Sequence, residues 1–477
     1  MDFVREQFID PVSHFLYTYV LIYLLIGAGL YFTVRTRAVQ IRLLKPALKL
    51  LVGDSSRTHS ENGVSSFQAF AIGLASRVGT GNIAGVAVAL TAGGPGAVFW
   101  MWVVAVVGMA TGFVEATLAQ LFKRPAPGGG FRGGPAYYME TGLGSRRSGA
   151  VFAVLLVFTF GIAFTMVQAN TVADVLAGSH GVSAHWTGLI LVVLSAPALF
   201  GGVRRVAKIA GLVLPVMAVA YLLLAVVIVA SNPTRVVDAL GWIFRDAFGF
   251  GPAAVGGASG LAAAMLNGVK RGLFSNEAGM GSAPNAAATA DTTHPAKQGL
   301  LQSLGVAVDT LAVCTATAMI IMLADRSVYD PAHPGAATGA SLTQAAVVNQ
   351  FGDWSKWLMT VMVFVFAYSS VLGNYVYAEV NLDYLRVSRT AVQGFRVVVL
   401  AAVGLGSLLS LQLVWEFADV AMGVMALMNL AAIALLGRWA FGALRDYEAG
   451  AARGVDPTFH APGNAYLPEP LRTDVWV

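Results

Sequence analysis

Two short glycine-framed segments, Gly79–Thr80–Gly81 and Gly279–Met280–Gly281, offer this chain's most specific chemistry. Each sits inside a long apolar run otherwise suited to a helix. Glycine weakens a helix, and a broken helix frees N–H and C=O groups that an intact one consumes. Free N–H groups at a half-helix start hold an anion, and free carbonyls hold a cation. An α-amino acid carries both charges on one carbon and suits a pair of such breaks. Arg77 and Asn82 flank the first segment; Ser275, Asn276 and Glu277 precede the second. Packing alone also places glycine in membrane helices. Two segments in corresponding places, each with polar neighbours, favour binding.

The elements that must position these residues are membrane spans. Of 477 residues, 57% are hydrophobic and 12% charged, with mean hydropathy +0.69. A soluble chain carries about 25% charge. The 53 glycines suit close helix packing, and the single cysteine, Cys314, allows no intrachain disulfide. Eleven spans are expected: Ser13 to Val34, Phe67 to Thr91, Gly96 to Phe122, Ala150 to Ala177, Thr187 to Phe200, Ile209 to Ala230, Gly256 to Ala290, Leu300 to Leu323, Trp357 to Val380, Phe395 to Leu411 and Ala418 to Leu436. The second breaks at Val78–Asn82 and the seventh at Phe274–Gly281. The first is read as a retained span, not a signal peptide. Arg35 to Leu51 is a basic amphipathic stretch for the membrane surface. A short amphipathic helix is expected around Trp242. Trp100 and Trp102 are read as interfacial anchors.

Basic residues orient the bundle. With the first loop inside, twenty-two Lys and Arg fall in cytoplasmic segments, including Arg57, Arg204, Arg205 and Lys208, and five fall outside. That asymmetry implies N-terminus out and C-terminus in. The absence of a presequence points to a bacterial-type cytoplasmic membrane. The basic residues lie in short loops, which excludes a nucleic-acid surface.

Each broken span opens a five-span unit. Five is odd, so the second unit starts from the opposite side, as in an inverted repeat. The expected organisation is 1–66, an extra N-terminal helix with the amphipathic segment; 67–230, the first repeat; 231–255, an extracellular connector; 256–436, the second repeat; and 437–477, a polar and partly disordered cytoplasmic tail. The fold class is an all-α integral membrane bundle.

The segments Val78 to Ala87 (VGTGNIAGVA), Gly93 to Trp102 (GGPGAVFWMW) and Lys270 to Pro284 (KRGLFSNEAGMGSAP) resemble hallmarks of the alanine or glycine:cation symporter family. Gln298-Gly-Leu, Asp309 to Cys314 (DTLAVC) and Phe366 to Ser370 (FAYSS) add to the likeness, which covers Phe67 to Asn429. The resemblance implies a LeuT-type 5+5 fold with one extra leading helix. It also implies sodium-coupled uptake of alanine or glycine across a lipid bilayer. Arg77 departs from the small or hydroxyl residue expected before the first Gly-x-Gly, and its guanidinium could stand in for a cation.

Roles follow from this frame. Thr80 and Gly81 are assigned as backbone donors to a substrate carboxylate, with Gly279 in the matching break. Asn82 either lends its oxygen to sodium or caps the second half-helix. By resemblance, Phe274, Ser275 and Glu277 present carbonyls to the substrate ammonium, and Ser275 adds a hydroxyl to the cation. Glu277 needs a partner at mid-membrane, Arg77 or Arg271. Asp309 is read as a cation ligand or proton site, against a simple hydrogen bond with Thr310. By resemblance, Ser369 and Ser370 form a second sodium site with carbonyls near Ala75 and Val78. Glu115 is a structural bridge between unwound segments. Gln168 and Asn170 are assigned to the pocket, which Asn374 and Tyr375 close.

The mechanism implied is alternating access, with no cofactor beyond the coupling sodium ion. Proton coupling on the same fold is the alternative. A membrane enzyme lacks the histidine or nucleophile pairs it needs, and no His-Glu-x-x-His occurs. A channel filter normally needs symmetric subunits, which an inverted repeat does not supply. The sequence leaves oligomeric state open.

Overall fold

The structure, a computed structural model, describes residues 5–53, 64–126, 129–201, 203–250, 258–332 and 337–477, with backbone alone at 52–53, 203–215 and 258. Arg57, the 251–255 end of the connector and Gly256 lie outside the described residues, as do the side chains of Arg204, Arg205 and Lys208.

The chain is built from helices: α1 (Arg5–Arg35), α2 (Val39–Arg42), α3 (Leu44–Gly53), α4 (Ser66–Arg77), α5 (Gly81–Gly93), α6 (Gly96–Leu121), α7 (Pro135–Gly142), α8 (Arg146–His180), α9 (Ala184–Phe200), α10 (Val203–Ser231), α11 (Pro233–Ala247), α12 (Ala258–Asn276), α13 (Ala283–Ala287), α14 (Pro295–Met322), α15 (Gly339–Phe351), α16 (Ser355–Leu385), α17 (Arg389–Leu408) and α18 (Leu411–Ala452). The one ribbon among the described residues pairs Arg124–Pro125 with Phe131–Arg132. Seven helices (α1, α6, α8, α14, α16, α17 and α18) are each long and apolar enough to cross a membrane. The α10–α11 pair, bent by 104°, makes an eighth if counted as one span. This is a multi-pass membrane protein.

The expected breaks are present. Ser65 and Gln68 form a reciprocal capping box that starts α4, which stops at Arg77. α5 resumes at Gly81. α12 stops at Asn276, and the short α13 follows after a turn. α6 runs between the breaks, and every residue from Val107 to Leu121 is buried. α12, α14, α1 and α18 all pack on it. Gly108 permits this: a Cβ there would lie 3.0 Å from that of Ala278.

The amphipathic helix near Trp242 is α11, and α15 was not foreseen. The indoles of Trp100 and Trp102 donate to the Ala247 carbonyl and to Thr315 Oγ1, at 3.2 and 2.8 Å, tying α6 to α11 and α14.

The tail corrects the sequence reading more strongly. α18 continues past position 437 to Ala452, about 63 Å at helical rise. The residues beyond it pack back onto the bundle. Trp476 is buried, and its indole donates to the Gln120 carbonyl at 2.9 Å. Phe459 is buried against Trp476, and its N–H bonds the Thr293 carbonyl at 2.9 Å. Lys297 Nζ meets Asp456 at 2.6 Å. Average polarity misled because a few aromatic side chains suffice to anchor the segment.

Trp476→Ala is expected to cost about 3 kcal/mol, read as a lower Tm in detergent and earlier tail proteolysis. Lys123 sits against the same indole, 4.6 Å from its ring, and donates to the Ala290 carbonyl at 2.8 Å. Burial pushes its ammonium down to about 7, with Asp291 pulling the other way. Between pH 7 and the ordinary value of 10.5 the unfolded chain holds that proton and the folded chain does not. Stability is therefore expected to rise with pH across that window, and Lys123→Met to flatten the rise.

Candidate functional site

The first break forms where Val78 leaves the helix with ψ 91° and Gly79 follows. Asn82 reaches back, its Oδ1 accepting the Gly79 N–H at 2.9 Å. This bond does not cap α5, whose N-cap position, Thr80, has no side-chain cap hydrogen bond, but it does engage the Asn82 oxygen. The N–H groups of Thr80 and Gly81 open α5, where a helix provides no backbone acceptor. The first turn of α5, Gly81–Gly85, is π-helical.

The second break has a different build. Glu277, Gly279 and Gly281 all adopt positive φ, at 56°, 88° and 84°. Glycine takes such angles freely, whereas Glu277 does so at a cost. Its carboxylate accepts from Ser76 Oγ at 2.9 Å and Ser282 Oγ at 2.6 Å. One residue thus binds the end of α4 to the far side of its own break. Ser76 Oγ also lies 3.4 Å from Asn374 Oδ1.

Glu115 bridges as expected in place, though at one break only. It accepts the Gly279 N–H at 3.2 Å and the Asn429 amide at 3.0 Å. Asn429 also donates to the Gly279 carbonyl at 2.9 Å. Both backbone groups of Gly279 are thereby occupied, so they do not face an open pocket.

Asp309 gathers the polar groups between the breaks. Its carboxylate accepts from Asn82 Nδ2 at 2.6 Å, Ser275 Oγ at 2.6 Å and Thr310 Oγ1 at 2.9 Å. It projects from a π-helical stretch, Ala307–Cys314. A third, Thr159–Phe164, precedes Gln168, whose Oε1 accepts from Thr80 Oγ1 at 2.8 Å. π-Helical turns interrupt the regular ladder and cluster at functional sites.

Ser370 Oγ lies 3.4 Å from the Ala75 carbonyl and 3.5 Å from that of Ser76. Val78 is buried beside them. Ser369 instead bonds its own helix, at the Phe366 carbonyl, 3.0 Å away. Phe274 stands between Phe164 and Trp415, with ring centroids 4.4 and 4.6 Å away. A Cβ on Gly81 would lie 2.8 Å from the Phe274 ring, so the glycine admits this wall.

Three expected residues point elsewhere. Asn170 donates to the Gly406 and Leu409 carbonyls, at 3.1 and 2.7 Å, fastening α8 to the end of α17. Arg271 is no partner of Glu277. It pairs with Asp419 and stacks 4.5 Å from the Trp415 ring. Tyr375, expected to close the pocket, accepts from Arg396 Nε through its hydroxyl at 2.7 Å.

Arg77 is buried and donates Nη1 to the Gln302 carbonyl at 3.2 Å. Its Nε and Nη2 are buried without a hydrogen-bond partner among the described residues. Three carboxylates, Glu115, Glu277 and Asp309, are buried around the breaks, and among the described residues none lies within 4 Å of this guanidinium. Such a cluster needs protons or bound cations to balance it. Sequence reasoning missed Ser76, Trp415, Asp419 and Asn429. Only the intramembrane carboxylate of Asp419 carried a signal that could have found it.

A profile of the "Sodium:alanine symporter family" matches residues 1–461. The chain belongs to that family. It is a transporter and not an enzyme. The amino-acid carrier protein AlsT of Bacillus subtilis is 47% identical, over 97% of this chain and 96% of that one. A probable sodium/glutamine symporter of the same organism, GlnT, is 45% identical, over 96% of this chain and 94% of its own. Among solved structures, a manganese transporter of Eremococcus coleocola superposes with TM-score 0.52 at 13% identity, over 84% of this chain and 92% of that one. At that identity the likeness speaks for the fold alone.

In this transporter Glu115→Ala is expected to cost about 2 kcal/mol or more, since it strands the Gly279 N–H and the Asn429 amide. Glu115→Gln retains one acceptor and should cost less. Chemical denaturation in detergent micelles measures the difference.

Proposed function

We propose that the chain is a sodium-coupled symporter of small neutral amino acids, alanine and glycine, working by alternating access. The observation that carries this reading is the junction of the two breaks. Free donors at Thr80 and Gly81 sit beside three buried carboxylates and one guanidinium. A zwitterion and a cation together complement that set.

The carboxylate of the amino acid binds the Thr80 and Gly81 N–H groups. Its ammonium meets carbonyls of Phe274, Ser275 and Glu277 and the acidic side of the cluster. Phe274, held between Phe164 and Trp415, limits the room for a side chain. Sodium is a hard cation that prefers oxygen ligands. Ser370 Oγ with the Ala75 and Ser76 carbonyls supplies such a set, and Ser275 with Asp309 a second. Asn82 and Glu115 position these groups, as does Arg77.

The architecture in this reading is eleven spans, with α1 leading two inverted five-span repeats, 67–230 and 256–436. The N-terminus lies outside and the C-terminus inside a cytoplasmic membrane. One repeat rocks against the other to move the site between faces.

Proton coupling is the second reading, favoured by the burial of Glu115, Glu277 and Asp309 in one interior, where the charged carboxylate is costly. Uptake of radiolabelled L-alanine into proteoliposomes separates the two. Uptake driven by a sodium gradient, with glycine competing and L-glutamine not, supports the proposal. Uptake driven by a proton gradient without sodium moves coupling to Asp309 or Glu277. Ser370→Ala is expected to raise the sodium concentration for half-maximal uptake about tenfold, the equivalent of one lost ligand. An unchanged sodium response would remove Ser370 from the cation site.

A further inference from the structure

Outside the central site, the most strongly charged hollow lies between the end of α1, α2 and the far half of α18. It encloses about 470 Å³. Arg35, Arg37, Arg42, Arg438 and Arg445 converge on it, against one lining carboxylate, Glu448. The arginines come from segments some four hundred positions apart in sequence, so the fold assembles the cluster.

The backbone is shaped to build it. Arg37 and Ala38 both take positive φ, 54° and 53°, which non-glycine residues adopt at a cost. That turn reverses the chain between α1 and α2. Arg42 clasps it, donating to the Arg37 and Thr36 carbonyls at 3.3 and 3.1 Å, and also pairs with Glu448 at 2.6 Å. Arg438 pairs with Glu469 at 2.7 Å. Among the described residues, Arg35, Arg37 and Arg445 have no carboxylate within 4 Å. Arg35 stacks 5.3 Å from the Phe441 ring, which leaves its donors available.

The surroundings are apolar and face outward. Val34 lines the hollow and is 74% exposed; Ile41 and Leu435, on the adjoining helices, are 69% and 68% exposed. Side chains of that kind on a membrane protein lie against acyl chains. A second hollow, of about 340 Å³, is less one-sided in charge. Its four arginines face two lining acids, Glu140 and Asp383, which pair with Arg124 at 3.4 Å and with Arg132 at 3.5 Å.

We infer that the hollow between α1, α2 and α18 binds the phosphate group of an anionic phospholipid, whose acyl chains lie along Val34, Ile41 and Leu435. Unpaired guanidinium groups take the phosphate oxygens, and the apolar flank takes the chains. A soluble anion would use the first feature and gain nothing from the second. The leaflet is the cytoplasmic one under the orientation proposed above. The binding itself does not depend on what is transported.

The test uses full-length protein, delipidated in neutral detergent. Cardiolipin, phosphatidylglycerol, phosphatidylcholine or inorganic phosphate is added, and lipid adducts are read by native mass spectrometry alongside Tm. Adducts and a raised Tm are expected with the two anionic lipids only. The R35Q/R37Q/R445Q variant is expected to bind them about a hundredfold more weakly, from three lost charges. If that variant fails to fold, Arg37→Gln alone, at an exposed side chain with no bond to lose, should weaken binding several-fold. Arg124→Gln should bind as the unaltered protein does. Equal binding by the folded variants, equal binding of phosphatidylcholine, or the same Tm rise with inorganic phosphate would overturn the inference.

Discussion

Two helices that stop inside an apolar bundle leave backbone donors and acceptors that neither water nor lipid satisfies, and much of the interior is arranged to meet that demand. The breaks meet it differently. At the first, Asn82 accepts the Gly79 N–H and leaves the next donors open. At the second, three residues of positive φ turn the chain, while Glu115 and Asn429 occupy both backbone groups of Gly279. One break is therefore closed and braced, and the other presents its helix start to the centre. That asymmetry gives the site a direction.

Charge follows from the same constraint. Glu115, Glu277 and Asp309 are buried around the breaks with Arg77, so the centre holds more acid than base. Arg271 pairs separately with Asp419, and Trp415 contacts both Arg271 and Phe274. A structural ion pair thus stands beside a cluster that is incomplete alone. The incomplete cluster is where a cation contributes most, because the attraction acts where water does not screen it.

The periphery is more ordered than its composition suggests. The tail fastens Asp456 to Lys297, Phe459 to Thr293 and Trp476 to Gln120, close to the bridge between Val64 and Ala290. The ends of α4, α6 and α14 are thereby held in one network with the last residues of the chain. The arginine hollow borders the same α18 and adds a contact to the membrane itself.

The sequence by itself determined that the chain crosses a membrane many times, that it breaks near Gly79 and Gly279, and that Arg77 and Glu277 lie beside the breaks. Apolar runs, glycine pairs and buried charges are local properties, readable without knowing what lies across the bundle. Only the tertiary structure decided the partners. Asn82 spends its oxygen on Gly79, and Asn170 turns to α17. Arg271 finds Asp419, 148 positions away, in place of Glu277, and the aromatic tail docks under α6. A buried polar group bonds whichever neighbour the packing brings within about 3 Å, and that distance is set by helices far apart in the chain.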